Sequence, residues 1–275
     1  MTAIDLPYFD LLLEGRAQGA ASARLFEHFV HWGYWDDPGS ATLDWGEFAA
    51  AMDRLDAEVV AAAGIEDGQA VLDAGCGFGG TLASLSAKRP SLKLTGLNID
   101  PRQLKVARVQ TPGATFVEGD ACAMPFPDGA FDRVLAVECI FHFPSRLRFL
   151  KEAARVLKPG GRASLSDFVP VGDVRARGLA SGWLERQIGK GYGSPGDGWT
   201  DGPYAEMAAA AGLRVTLDRD ITANTLPTYP LLLRLLRDEK DIPSAERMIW
   251  PTHLLRWLSV LRLVRYRIVA FEKPE

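Results

Sequence analysis

The ten residues Val71-Leu72-Asp73-Ala74-Gly75-Cys76-Gly77-Phe78-Gly79-Gly80 constrain this chain more than any other stretch. Two apolar residues run into an acid, and glycine then occupies four of six positions. The pattern reads as a buried strand, a tight turn and the first turn of a helix. Glycine belongs where backbone turns sharply and where a ligand approaches with no Cβ in the way. Gly75, Gly77 and Gly80 satisfy the G-x-G-x-x-G spacing of dinucleotide folds. Asp73 is at odds with that reading. A carboxylate at the strand end repels a pyrophosphate and suits a ligand bearing positive charge.

Around this stretch, strand-like and helix-like segments alternate, the pattern of a parallel sheet flanked by helices. Strands are expected at 69–74, 92–99, 114–118, 131–138, 162–169, 213–221 and 265–271. Helices are expected at 4–30, 43–63, 80–88, 101–109, 144–156, 203–211 and, rich in leucine, 228–262. Lys158-Pro159-Gly160-Gly161 reads as a helix stop before a strand. Glycine-rich 170–202 is too long for an ordinary connection. The organisation expected is an N-terminal segment, 1–63, and a core, 64–275, with lid insertions at about 170–202 and 228–262.

Each strand end carries polar residues where doubly wound folds bind ligands. The second ends at Asn98-Ile99-Asp100-Pro101-Arg102-Gln103, with Asn98 23 residues past Gly75. Asp100 reads as a helix N-cap before Pro101. The third leads into Gly119-Asp120-Ala121 and the fourth into Val137-Glu138-Cys139-Ile140-Phe141-His142. Upstream, His31-Trp32-Gly33-Tyr34-Trp35 packs three aromatics and a histidine into one loop. They either pin the N-terminal helix to the body or cover a ligand.

In that order these motifs resemble class I S-adenosylmethionine-dependent methyltransferases, of the branch acting on small molecules and natural products. The resemblance runs from about residue 31 to 170 and more loosely beyond. It implies an α/β fold: a Rossmann-like seven-stranded methyltransferase sheet, helices on both faces, helical lid insertions, and a helical insertion inside a closing antiparallel hairpin. The cofactor implied is S-adenosylmethionine, with S-adenosylhomocysteine as product. Asp73, with Gly75, Cys76 and Gly77, would take its methionine ammonium, and Asn98, Ile99 and Gln103 its ribose. Gly119, Asp120 and Ala121 would hold adenine, Val137 and Glu138 would face the methionine end, and His31 and Tyr34 would cover it. Asn98 departs from the family's commoner acid, although an amide can still bond a hydroxyl.

Methyl transfer needs a base only where the acceptor loses a proton. His142, following the fourth strand, is the candidate base, with a structural histidine as the plainer reading. Phe141 and Phe143 indicate an apolar acceptor pocket, and Phe141 departs from the glutamate that precedes the matching histidine in cyclopropane synthases. Trp32, Trp183, Tyr192, Trp199, Tyr229, Trp250 and Trp257 are the candidate lining. Leucine and arginine mix at 230–237 and 254–258, as a packed lid helix or one lying on a membrane surface.

The expected activity is methylation of a lipophilic or aromatic small molecule, oxygen ahead of carbon and nitrogen. Terpenoids, polyketides and other secondary metabolites are the acceptor classes. An NAD-dependent oxidoreductase is the remote alternative, and the chain lacks a Tyr-x-x-x-Lys pair. A non-catalytic binding module would not need His142. Net charge −4 offers no footprint for nucleic acid. Three cysteines without a C-x-x-C pair favour reduced thiols, and no His/Asp/Glu group shows metal spacing. The chain reads as cytoplasmic, monomeric or homodimeric, without a signal peptide or integral membrane segment.

Overall fold

The structure, a computed structural model, describes residues 7–172, 182–193, 203–239 and 241–275. Seven strands form one sheet in the order β3-β2-β1-β4-β5-β7-β6. They are β1 (Ala70–Ala74), β2 (Lys93–Asn98), β3 (Thr115–Glu118), β4 (Phe131–Ala136), β5 (Leu157–Pro170), β6 (Arg214–Asp220) and β7 (Val264–Glu272). Strands β1 to β5 pair in parallel, while β7 runs antiparallel between β5 and β6. Both faces of the sheet centre are covered, which is why β1 reads as an apolar run rather than an alternation. On one face Val71, Leu94 and Leu135 pack with Ala63, Leu82, Leu85 and Leu104, from α3 (Trp45–Ala63), α4 (Gly80–Lys88) and α5 (Pro101–Gln110). On the other, Leu72, Val134 and Phe271 pack with Phe149, Leu150 and Met207, from α6 (Arg146–Val156) and α8 (Tyr204–Ala210).

The expected elements are present, with instructive differences. The N-terminal stretch is not one helix. It forms α1 (Pro7–Gln18) and α2 (Ala21–Leu25), separated at Gly19 with φ +67°. Residues 26–35 then run without regular structure across the carboxyl end of the sheet, reaching the glycine turn. There the His28 carbonyl comes so close to Gly80 that an added Cβ would lie 2.1 Å from its oxygen. Strand β5 begins at Leu157, not 162, because Leu157 pairs with Phe131 before Lys158-Pro159-Gly160-Gly161 shifts the register to Arg133–Arg162. The leucine-rich region is two helices, α10 (Thr228–Asp238) and α11 (Pro243–Val260). Its leucines Leu231, Leu232, Leu235 and Leu236 are buried, as in a packed helix. These helices, with short α9 (Thr222–Thr225), lie between β6 and β7. They share an apolar cluster with α1, α3 and α7 (Trp183–Tyr192).

One buried ion pair ties three elements. Arg146 of α6 donates to the Asp167 carboxylate of β5 through Nε (2.6 Å) and Nη2 (3.1 Å), and Tyr204 of α8 donates to the same carboxylate (2.7 Å). Removing one member of such a pair strands the other charge out of water. Arg146→Met is therefore expected to cost about 3–5 kcal/mol, and Arg146→Met with Asp167→Leu distinctly less. Urea unfolding of the two variants measures both.

Candidate active site

At the carboxyl ends of β1, β2 and β4 the structure encloses a cavity of about 350 Å³. Its wall begins at the glycine turn. Gly75 has φ +83°, and a Cβ there would lie 2.7 Å from Cys139 Sγ, so the side chain has to be absent. Asp73, 2% exposed, lines the cavity, and its carboxylate has no hydrogen-bond partner among the described residues. Burial pushes its pKa up to about 8, with further repulsion from Asp56. Asp56 itself accepts the Thr81 hydroxyl at 2.6 Å and is raised to about 6 by burial.

At the end of β2, Asn98 donates to Gln103 Oε1 at 2.9 Å and accepts weakly from the Gly77 N–H at 3.4 Å. Two amides five residues apart thus form one polar edge, because Pro101 starts α5 immediately and its first turn carries Gln103 back beside Asn98. Asp100 caps that helix by accepting from the Arg102 N–H. After β3, Gly119, Asp120 and Ala121 line the cavity, and Asp120 accepts from the Cys122 N–H at 2.7 Å, folding its own turn.

Glu138 follows β4 with φ +50°, a left-handed conformation that costs a non-glycine residue roughly 1–2 kcal/mol. Its surroundings hold it there. The Glu138 N–H donates to Ser166 Oγ at 2.9 Å, and its Oε2 accepts from the Trp32 N–H at 2.7 Å and the Tyr266 hydroxyl at 2.5 Å. Burial raises this carboxyl to about 8.

Two buried histidines face the same space, which the exposed His28 also borders. His142 Nε2 pairs with the Tyr8 hydroxyl at 3.0 Å, and the two rings stack with centroids 5.6 Å apart. Its Nδ1 is buried without a partner among the described residues. Burial lowers its pKa to about 3, so the ring is neutral at pH 7. His31 Nδ1 lies 2.8 Å from the Trp32 carbonyl, Nε2 has no partner, and burial lowers the ring to about 4.

Beside the main cavity lies an apolar chamber of about 50 Å³, walled by residues such as Leu11, Leu12, Phe26, Trp32, Phe141, Tyr192, Leu232 and Met248. Four residues line both spaces: Tyr8, Val30, His31 and Glu138. Trp32, Phe141 and Tyr192 also border a further crevice with Phe168 and Leu255.

Every residue nominated for the cofactor from the sequence lines the main cavity except Tyr34. The Tyr34 ring instead lies under the Arg219 guanidinium, 5.8 Å from its centroid, so this residue corrects the expectation that it covers the ligand. Among the nominated acceptor residues, Trp32, Phe141 and Tyr192 line the apolar chamber. Tyr229 does not. It is fully buried behind the chamber, its hydroxyl bonded to Ser259. Trp183, at the start of α7, is solvent-exposed, as are Trp250 and Trp257, because α11 turns Met248, Leu255 and Leu258 inward and leaves its tryptophans outside. Trp199 lies outside the described residues. Sequence reading missed Tyr8, Phe9, His28, Phe29 and Val30, which line the cavity from the N-terminal segment. Closeness to the aromatic loop could have flagged His28, Phe29 and Val30, whereas no local signal marks Tyr8 and Phe9, which lie in α1.

The sheet order, with its antiparallel seventh strand, and the pocket at the ends of β1, β2 and β4 define a Rossmann-like methyltransferase. Comparison with known proteins makes this specific. The Methyltransferase domain family model matches residues 72–165. Methyltransferase GfsG of Streptomyces halstedii is 33% identical over 217 residues, covering 76% of this chain and 74% of that protein. The 27-O-demethylrifamycin SV methyltransferase of Amycolatopsis mediterranei is 36% identical over 213 residues, 75% of this chain and 74% of that protein. The crystal structure of the [4+2]-cyclase SpnF superposes with a TM-score of 0.72 at 23% identity, covering 98% of this chain and 94% of that one, a likeness of fold. The chain belongs to the S-adenosylmethionine-dependent methyltransferases and is an enzyme of that class. The nicotinamide oxidoreductase reading is set aside. No helix among the described residues is long and apolar enough to cross a membrane.

The buried acids set a stability profile. Asp73 titrates near pH 8 when folded and near 4 when unfolded, so the folded state holds the extra proton between those values. Its contribution is complete below about pH 4 and is lost as pH rises through about 8. His31 and His142, depressed by burial, act oppositely below about pH 6.5. Without ligand, Asp73→Asn should therefore gain on the wild type by on the order of 1 kcal/mol or more between pH 5 and 8. Urea midpoints at the two pH values test this.

Proposed function

We propose that the enzyme transfers the methyl group of S-adenosylmethionine to a hydroxyl oxygen of a lipophilic or aromatic small molecule. The observation that carries this reading is the junction of the two spaces. An apolar chamber opens beside the polar cavity at Tyr8, His31 and Glu138. An acceptor whose apolar edge enters the chamber presents its reacting atom at that junction, next to groups able to handle a proton. The Amycolatopsis relative, named for 27-O-demethylrifamycin SV, fits an oxygen acceptor.

The residues of the main cavity suit the cofactor. Asp73 lacks a partner and lies beside bare backbone at Gly75, which fits the methionine ammonium. The Asn98–Gln103 edge fits the ribose hydroxyls, and the turn at Gly119, Asp120 and Ala121 fits adenine. Val137 and Glu138 would adjoin the methionine end, with Phe29, Val30 and His31 bordering the cavity from the N-terminal segment. When bound, S-adenosylmethionine supplies a methyl group on a sulfonium, transferred by in-line displacement. The protein's part is to hold the acceptor in line, exclude water and receive a proton. Phe141, Trp32 and Tyr192 shape the acceptor side, while Tyr8 and His142 close it as a bonded pair.

Calorimetric titration with S-adenosylhomocysteine and, separately, NAD(H) tests the cofactor assignment: the first should bind and the second should not. At pH 7, binding should release a proton from Asp73, visible as a buffer-dependent enthalpy. Asp73→Asn should abolish that release and weaken binding by about ten- to a hundredfold. Unchanged affinity would remove Asp73 from the ammonium site. Incubating the enzyme and S-adenosylmethionine with phenols, aliphatic alcohols, amines and alkenes, with mass and NMR readout, tests the acceptor atom. Methylation on carbon or nitrogen alone would overturn the oxygen assignment.

A further inference from the structure

Of the two buried histidines that line the main cavity only His31 also lines the chamber, and hydrogen bonding distinguishes them further. A carbonyl oxygen carries no proton, so the 2.8 Å contact between His31 Nδ1 and the Trp32 carbonyl has Nδ1–H as donor. In a neutral imidazole the other nitrogen is then a bare lone pair. That nitrogen, Nε2, has no hydrogen-bond partner among the described residues, on a ring 6% exposed that borders both the cofactor cavity and the apolar chamber. At His142 the arrangement is reversed. Its Nε2 is engaged by the Tyr8 hydroxyl, and the orphan is Nδ1.

We propose that His31, through Nε2, is the general base that takes the proton of the acceptor hydroxyl, and that His142 holds Tyr8 in the wall. This rests on the oxygen-acceptor reading above. The acceptor oxygen forms its bond to the methyl carbon as the carbon–sulfur bond breaks, whose electron pair stays on sulfur. The O–H proton passes to His31 Nε2, giving an imidazolium that returns the proton to solvent after product leaves.

The surroundings suit that role. The backbone of Trp32 serves two groups at once: its carbonyl accepts from His31, and its N–H donates to Glu138 Oε2. The same residue therefore orients the base and a carboxylate that lines the same junction. Glu138 Oε2 is held by Trp32 and Tyr266, and Oε1 has no partner among the described residues; burial keeps this carboxyl largely protonated at pH 7, and a cation formed beside it favours its ionisation. Phe29, 4.9 Å from the imidazole between centroids, packs against the ring. A base set this way spends no reorganisation on finding its tautomer during the reaction.

His31→Asn is the informative variant, because its side-chain amide reproduces the Nδ1–H donor to Trp32 and deletes Nε2. The acceptors used are substituted phenols, from 4-methoxyphenol, through phenol, to pentafluorophenol, which is already ionised at neutral pH. In His31→Asn, kcat/KM for phenol should fall by about 10²-fold or more, with the defect vanishing at pentafluorophenol. S-adenosylhomocysteine affinity should fall far less than kcat/KM. His142→Asn should show a defect that does not depend on phenol acidity. An acidity-dependent defect in His142→Asn but not in His31→Asn would overturn the assignment.

A second readout needs no turnover. In ¹⁵N-histidine NMR of the protein with S-adenosylhomocysteine, His31 should show a protonated Nδ1 and a bare Nε2 whose resonance moves when phenol is added. A protonated Nε2, or no response to phenol, would refute the proposal. If no phenol is methylated on oxygen while the NMR result holds, the oxygen-acceptor reading fails and the base geometry stands.

Discussion

The structure depends on burying carboxylates at the mouth of its sheet without giving them countercharges. Asp73 has no hydrogen-bond partner among the described residues, and Glu138 has only the Trp32 N–H and the Tyr266 hydroxyl. Both are raised to about 8 by burial. Such groups are expensive in an apolar interior, and a folded protein keeps them where a ligand completes their environment. Much of the local architecture serves to hold them. The glycine turn lets backbone and ligand approach beside Asp73. The left-handed backbone at Glu138 aims its side chain back toward residues 31 and 32, and β5 and β7 supply Ser166 and Tyr266 to keep it there.

The second constraint is coverage. The carboxyl end of a parallel sheet is open, and this chain closes it with the segment before the sheet begins. Residues 26–35 leave the helical path and lie across the glycine turn, tight enough that Gly80 admits no Cβ beneath the His28 carbonyl. That single crossing brings Phe29, Val30 and His31 to the cavity. Helix α1 adds Tyr8, bonded directly to His142, 134 residues along the chain. The apolar helices between β6 and β7 then back this segment, so the polar cavity and the apolar chamber are two sides of one wall.

The shared fold leaves the chemistry open. A [4+2]-cyclase superposes on this chain as well as methyltransferases do. Placement of groups at the junction, more than the sheet, determines what happens there. Here a neutral imidazole with one nitrogen committed and the other free, next to a buried carboxylate, differs from a second imidazole whose corresponding nitrogen is already bonded. Residue identity does not distinguish them, since both are buried histidines.

By itself the sequence determined the sheet and the polar half of the pocket. Those features are local: a strand end, a glycine turn and a helix start occupy a dozen residues, and their composition reports their backbone directly. Asp73, Asn98, Asp120 and Glu138 were legible because each sits at or just past the end of a strand, and strand ends in this topology converge; Gln103 follows from the helix start right after β2. Tertiary structure alone decided which aromatics matter. Trp32, Phe141 and Tyr192 turn inward, Trp183, Trp250 and Trp257 face solvent, Tyr229 lies behind the chamber and Tyr34 lies under Arg219. A tryptophan at a helical position carries no sign of which side its helix will bury when the neighbouring helices arrive from elsewhere in the chain. The same holds for Tyr8 and for the two histidines. Their hydrogen bonds join segments distant in sequence, or depend on a backbone path that only the packed molecule imposes.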